Sequence, residues 1–277
     1  MSAAAFQIRA SFAFVERNFN LIKRYWSWEM VWLIYSIAES LSVSFIGLGM
    51  GVVGNSANVE VDTAYLVLYL LIGNLVWRYL SQIFYWITDL INIERWEGTI
   101  EYTLMAPIRR LTHMAGQTIF SVIYSLVFTS AILIATALVF KISLQSANLF
   151  GGLVMMLAGS FSFIGIGIMA SVFPLLFPER GAQMTHVFIA LLLLVSGVYY
   201  PVEVLPPFLE RLAVLSPATY VLNGARQAVL EGMPTSQLWP YIWPVLLMGA
   251  ALIPAGLWVF GQGERYAKRT GKLHRNG

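Results

Sequence analysis

Long apolar runs separated by short polar breaks set the pattern of this chain. Six stretches, 26–53, 64–91, 115–140, 149–177, 184–200 and 239–261, are apolar over most of their length. A helix needs about 20 such residues to cross the hydrocarbon core of a bilayer. Five of the stretches exceed that, and 184–200 falls near it. Together they occupy just over half the chain, and the longest segment between them, 201–238, leaves no room for a folded soluble domain. The pattern predicts an all-α membrane protein, one domain of six transmembrane helices.

Two flanking regions depart from simple spans. Before the first run, Phe12, Val15, Phe19, Ile22 and Trp26 recur at alternating steps of three and four, which is one stripe of a helix. Arg9, Arg17 and Arg24 lie off that stripe. Residues 1–25 are therefore expected to form an amphipathic helix at the membrane interface, apolar side down; a plain basic leader is the alternative. After the fifth run, Tyr199, Tyr200, Pro201, Pro206 and Pro207 break the helix, since proline lacks a donor and clashes with the preceding turn. Ser216-Pro217 reads as an N-cap followed by proline at the first helical position. A helix should run from there to Glu231, with Gly232 able to end it. Val221, Leu222, Ala225 and Val229 share its apolar face while Arg226 and Glu231 lie elsewhere. Broken helices, half-inserted or lying on the external surface, are the expected form of this segment.

Composition reinforces the membrane reading. Hydrophobic residues make up 58% of the 277 residues and charged ones 11%, against about 25% charged in ordinary soluble domains. A soluble enzyme, a nucleic-acid binder or a disordered scaffold could not be built this way. With no cysteine, disulfides, iron–sulfur clusters and thiol chemistry are excluded. Arg9, Glu16, Arg17, Lys23 and Arg24 interrupt the run from Phe6 to Trp26, so no cleavable signal pattern is expected.

The net charge of +3 matters less than its placement. Lys and Arg concentrate in the N-terminal segment, in the second-to-third loop (Arg95, Arg109, Arg110), at Arg180 and in the tail from Arg265 to Arg275. The opposite loops hold Lys141, Arg211 and Arg226 beside Glu60, Asp62, Glu203, Glu210 and Glu231. Basic loops stay cytoplasmic, so both termini are expected there.

Chemistry-bearing motifs are absent. Gly271-Lys272 is followed by Leu273, and Tyr266 stands where a P-loop needs its first glycine; this chain is not expected to hydrolyse ATP. His113, His186 and His274 are scattered, without zinc-ligand spacing. No G-x-S-x-G elbow occurs.

Within the spans, Glu39 lies thirteen residues into an outward-running helix and Arg78 fourteen into an inward-running one. At about 1.5 Å per residue both reach mid-depth. An intramembrane charge needs a reason, and the two are expected to pair. The pair either locks the first two helices or serves the substrate path or a dimer seam. Glu29 and Asp89, near the helix ends, read as solvated or snorkelling groups, and His186 as interfacial. Gly47, Gly49 and Gly51 mark either a close helix approach or a flexible helix end. Tyr199, Tyr200 and Tyr220 form either an aromatic belt or a stacking surface.

The second-to-third loop is the most informative stretch. Gly98 can end one helix, Thr99 can cap a short new one and Pro107 stops it. Glu97 and Glu101 sit toward its N-terminus, where the helix dipole favours anions. A short charged helix is expected, with a solvated loop as the alternative. The run Glu97-Gly98-Thr99-Ile100-Glu101 through Ala106-Pro107 resembles a signature of ABC-2-type permeases, the membrane subunits of ATP-driven exporters. The stretch Ser196-Gly197-Val198-Tyr199-Tyr200-Pro201, with Leu215-Ser216-Pro217-Ala218-Thr219-Tyr220 and Arg226, is similar to the pattern after that family's fifth span.

The resemblance implies a division into an interfacial helix at 1–25, a six-helix domain at 26–261 and a basic cytoplasmic tail at 262–277. Within the domain, 93–114 would be the coupling loop and 201–238 the external gate. Glu94, Arg95, Glu97, Gly98, Thr99, Glu101, Pro107, Arg109 and Arg110 would seat in a groove of a separate nucleotide-binding subunit. The permease is implied to be non-catalytic and dimeric, a homodimer or a heterodimer, docked on two ATPase copies that carry the ATP and magnesium. Tyr199, Tyr200, Pro201 and Tyr220 would belong to the gate and substrate path. The implied setting is the bacterial inner membrane, with no cofactor on this chain and no nucleic-acid partner. The family's members move very different cargo; the apolar composition and the lack of a charged tunnel favour a hydrophobic or amphipathic drug, antibiotic or lipid. A polysaccharide or glycolipid exporter, an ATP-independent secondary transporter and a membrane scaffold are the alternatives.

Overall fold

Backbone groups inside a bilayer must satisfy one another within the segment, and runs punctuated by Asx, glycine and proline do so as helices. A computed structural model describes residues 3–56, 62–106, 108, 110–141 and 146–270, and every regular element among them is helical. In chain order these are α1 (Ala3–Arg24), α2 (Trp26–Ser56), α3 (Thr63–Thr88), α4 (Leu90–Trp96), α5 (Ile100–Met105) and α6 (Arg110–Phe140). There follow α7 (Leu149–Ala170), α8 (Val172–Leu176), α9 (Gly181–Val195), α10 (Pro207–Ala213), α11 (Pro217–Val229) and α12 (Trp239–Thr270). Asp62 caps α3 by accepting from the Tyr65 amide at 3.0 Å. Asn148 caps α7 through the Gly151 amide at 2.8 Å and donates to the Met233 carbonyl at 2.7 Å.

Among the described residues, five helices are long and apolar enough to cross a membrane: Trp26–Gly54, Thr63–Thr88, Leu111–Phe140, Leu149–Leu176 and Thr235–Thr270. The stretch expected as a further span differs. Its helix, α9, has only 15 residues, about 22 Å at the usual rise. It stops because Ser196 turns its hydroxyl onto the Leu192 carbonyl and Gly197 takes φ +68°, a conformation that favours glycine. Tyr200 then folds back to donate to the Leu194 carbonyl at 2.6 Å. The second run also ends sooner than the sequence suggests, at Thr88, and α4 continues it after Asp89. The last helix carries the basic residues Arg265, Lys268 and Arg269 as far as Thr270.

α3 is the axis of the fold, packed by α2, α6, α7 and α11. Tyr79, Leu80, Ile83 and Phe84 are fully buried, and the Tyr79 hydroxyl meets Ser160 Oγ at 2.5 Å. α7 and α12 cross closely because Gly165 faces the backbone of Leu252 and Ile253 and Gly256 faces that of Gly165: a Cβ on Gly256 would lie 2.6 Å from the Gly165 carbonyl oxygen. α11 is embedded between α3, α7 and α12 rather than on the surface, with Ala218, Val221 and Leu222 fully buried. Ser216 does not cap it by side chain; its hydroxyl pairs with Ser196 at 2.8 Å, while Pro217 opens the helix. α11 ends at Val229, before the expected Glu231, and Gly232 takes φ +64° beyond it.

α1 docks on α6 through polar groups. Asn18 donates to Gln117 at 2.7 Å and Ser11 to the Thr112 carbonyl at 3.1 Å. Of the apolar stripe, Phe12 stays exposed, as does Trp26 at the start of α2, whereas Phe19 sets its ring edge to face on Phe120 of α6 at 5.2 Å.

Candidate functional site

The crossing of α2 and α3 assembles a polar ladder inside otherwise apolar helices. Arg78 Nη1 donates to Glu39 Oε2 at 2.8 Å, and Nη2 contacts Ser36 Oγ. The guanidinium also lies 5.9 Å from the centroid of the Phe128 ring. Asn74, one turn earlier on the same face of α3, donates to Ser40 at 2.8 Å and accepts from the Tyr199 hydroxyl at 3.1 Å. Glu39 keeps 40% of its side chain exposed against 17% for Arg78, so the carboxylate faces open space.

That space is a cavity of about 1110 Å³. α2 contributes Trp28, Trp32 and Tyr35, α3 contributes Trp77, Tyr85 and Trp86, α6 contributes Tyr124 and Phe128, and α9 contributes His186, Ile189, Ala190 and Leu193. It runs from Trp96 and Glu97, at the end of the bundle bearing α4 and α5, toward Asn74 and Tyr199. Glu29 and Asp89 also line it. The Tyr124 hydroxyl donates to Glu29, and Asn92 donates to Asp89 at 3.0 Å.

A second cluster organises the α4–α5 end. Glu94 is buried, and its Oε1 lies 2.9 Å from His113 Nε2, 3.2 Å from Arg17 Nη1 and 3.3 Å from Thr103 Oγ1. One carboxylate thus ties α4 to α1, α5 and α6. Burial acts to raise the Glu94 carboxyl, but the His113 and Arg17 contacts outweigh it and hold it below the ordinary carboxylate range. Gly98 closes α4 with φ +72°. Thr99 precedes α5 but makes no side-chain cap; its amide and hydroxyl both turn to the Glu94 carbonyl, at 2.8 and 3.4 Å. Beyond this knot, Trp96, Tyr102 and Met105 protrude, the last two at 74% and 78% exposure.

At the other end, Arg226 is buried on α11 and joins three elements. It donates to the carbonyls of Gly197 at 2.9 Å and Val198 at 2.6 Å, and its guanidinium lies 3.6 Å from the centroid of the Tyr69 ring. Gly73 makes the approach possible, since a Cβ there would sit 2.1 Å from the Val198 carbonyl oxygen.

The structure therefore brings Glu39 to Arg78 and sets Glu94, Gly98 and Thr99 in one knot, with Glu97 at the cavity mouth. Pro107 and Arg109, and the side chains of Arg95, Glu101 and Arg110, lie outside the described residues. Of the tyrosines singled out from the sequence, Tyr199 lines the cavity. Tyr200 and Tyr220 instead bond local carbonyls, those of Leu194 and Val214, and Pro201 opens the short 3-10 turn Val202–Val204. Sequence reasoning missed Asn74, His113 and the burial of Arg226. Asn74 carried a signal, a polar residue one turn from Arg78 inside an apolar helix.

A helical bundle with apolar spans and a polar-laddered cavity has the form of a membrane transport component. The family model for ABC-2 type transporters matches residues 9–230, and the chain belongs to that family. It is a multi-pass membrane protein and a permease of ABC-type transport, a generally non-catalytic component that normally works with an ABC ATPase subunit. No curated protein matches the chain.

Proposed function

We propose that this chain is the translocating subunit of an ATP-binding-cassette exporter for a hydrophobic or amphipathic compound. The cavity carries the reading, because it is aromatic-walled, reaches the polar ladder and extends to Trp96 and Glu97 beside the α4–α5 end. In this reading that end is cytoplasmic. Residues 94–110 are the coupling segment, with Tyr102 and Met105 supplying apolar contact to the ATPase and the Glu94 knot carrying its movement into α1 and α6. A notch lined by Glu16, Arg17, Arg24 and Glu97 supports α1 as a second contact.

Dimerisation would close the cavity. Trp28, Trp32, Ile34 and Tyr35 on α2 and Val187, Leu191 and Leu194 on α9 are exposed, and a second copy could cover both. α9 with the broken segment through α10 and α11 makes the sixth crossing, gated at its outer end. Both termini lie in the cytoplasm of a bacterial cell, and ATP and magnesium bind the partner. Nucleotide drives transport only by contacting the two permease states differently.

Purification of the tagged chain from native membranes tests this. A stoichiometric second subunit and vanadate-sensitive ATP hydrolysis are expected. A partnerless, inactive protein in a detergent that preserves complexes would point to an ATP-independent transporter. Gly98→Pro, which the φ of +72° at Gly98 forbids, and Glu101→Ala should abolish ATP-driven transport while leaving insertion intact. Normal transport in both would remove the coupling role from this segment.

A further inference from the structure

The cavity's walls discriminate among amphipathic compounds, and this inference rests on the reading above that the cavity is the substrate's path. Its rings are large and come from three helices: Trp28, Trp32, Trp77, Trp86, Tyr124 and Phe128. Trp28 and Trp32 are set nearly edge to face, with 59% and 46% of their surface uncovered. The face of an aromatic ring is the negative pole of its quadrupole and attracts cations. At about 1110 Å³ the chamber slightly exceeds the usual range for sites that enclose drug-sized molecules, roughly 300–1,000 Å³.

Charge on the walls is one-sided. Glu29, Glu39, Asp89 and Glu97 face a single guanidinium, Arg78. Arg78 is committed to Glu39 at 2.8 Å and to Ser36. Glu29 and Asp89 are held by neutral donors, the Tyr124 hydroxyl and the Asn92 amide. His186 is on the same wall, with its Nδ1 2.6 Å from the Ala182 carbonyl and its ring 5.1 Å from that of Tyr85. Among the described residues, the aromatic chamber thus ends in two carboxylates without a guanidinium or ammonium partner. Removed from water, each is costly unless an opposite charge arrives. An anionic amphiphile would set its charge against them, and a glycan would leave its hydroxyls facing unmatched rings.

We propose that the cavity accepts bulky aromatic organic cations, the rings of Trp28, Trp32 and Trp86 enclosing the apolar body and Glu29 with Asp89 facing the positive charge.

Two probes of the same shape and opposite charge test this: tetraphenylphosphonium and tetraphenylborate. Each is titrated against the full chain in lipid nanodiscs, with saturable binding read as tryptophan quenching and checked by displacement of radiolabelled probe. The phosphonium should bind at least about tenfold more tightly than the borate, a difference of about 1.4 kcal/mol. Glu29→Gln with Asp89→Asn should remove most of that preference, weakening phosphonium binding and relieving the repulsion that the borate meets. Equal or tighter binding of the borate, or no saturable binding of either probe, overturns the proposal, and both results are read on the wild-type chain. Binding is read without ATP, so the two readings fail separately. A chain that binds the cation but recruits no ATPase overturns the export reading alone. An active exporter complex that prefers the borate overturns only the cationic substrate.

Discussion

Glu94 shows how much one side chain can carry in this protein. Its carboxylate has donors from α1, α5 and α6 and almost no water. Glu94→Ala leaves the His113 and Arg17 contacts without an acceptor, and loss of one partner of a buried pair costs roughly 3–5 kcal/mol. Arg17 keeps 27% of its side chain exposed, so the lower end of that range is expected, read as a lower thermal midpoint. The pH sign follows from the depressed carboxyl. Its stabilising contribution is complete above the unfolded-state value and is lost as pH falls through the lower folded-state one. Wild type should therefore lose stability more steeply than Glu94→Gln on acidification below the ordinary carboxylate range. Parallel melting curves across that window would sink the assignment.

The Glu39–Arg78 pair belongs to the same scale. Glu39→Gln strands a guanidinium that is 17% exposed, and Arg78→Gln strands a carboxylate that is 40% exposed, so the first change should cost more. Each single change should impair assembly more than the double change, scored by monodisperse yield and melting. Identical behaviour of all three variants would show that the two residues do not depend on each other. This pair was legible in the sequence because both charges fell at equal depth. The Glu94 cluster was not, because its members are up to 96 positions apart; Arg17 and His113 meet only when α1 docks on α6.

At the scale of elements, helix ends decide the architecture. α9 stops short through Ser196 and Gly197, and the chain it releases is pinned by Arg226 and Tyr69. Gly73 is the point where α3 admits that chain. Gly73→Ala would force a methyl group against the Val198 carbonyl at 2.1 Å, and overpacking of this kind costs roughly 1–3 kcal/mol. A lower melting temperature with α3 otherwise intact is the expected result; an unchanged melting point would show that the 197–198 turn is free to move away. The proline and tyrosine cluster announced a break in this region but gave no sign of where the chain would go. Arg226 read as a polar residue off an apolar face, and only the approach of the two carbonyls explains why it is buried. Likewise Gly47 and Gly51 left two readings open, and both prove to lie within α2 where Val67 and Thr63 of α3 approach them.

For the whole molecule, orientation is the property that the function most needs. The chain has no cysteine, so a single introduced one reports its own location. Glu210→Cys on α10 and Lys268→Cys at the end of α12 both replace solvent-accessible residues. A membrane-impermeant maleimide should label the first in intact cells and the second only after lysis. The reverse pattern would invert the direction proposed for the cavity.

Sequence alone determined the helical class, the length and place of most spans, the family and the presence of a helix-breaking region. Those properties are local: a bilayer forces each apolar run to close its own backbone hydrogen bonds, and glycine, proline and Asx residues interrupt runs wherever they fall. Tertiary structure alone decided that Trp86, Tyr124 and Trp28 share one cavity, that Glu29 and Asp89 face it, and that Glu94 and Arg226 are buried among partners from other helices. Each of these depends on which faces of distant helices meet. In an apolar helix almost every side is oily enough to face lipid, so hydrophobic periodicity does not mark the face that packs. Shape and the pairing of a few polar groups make that choice, and they act only once the helices are together.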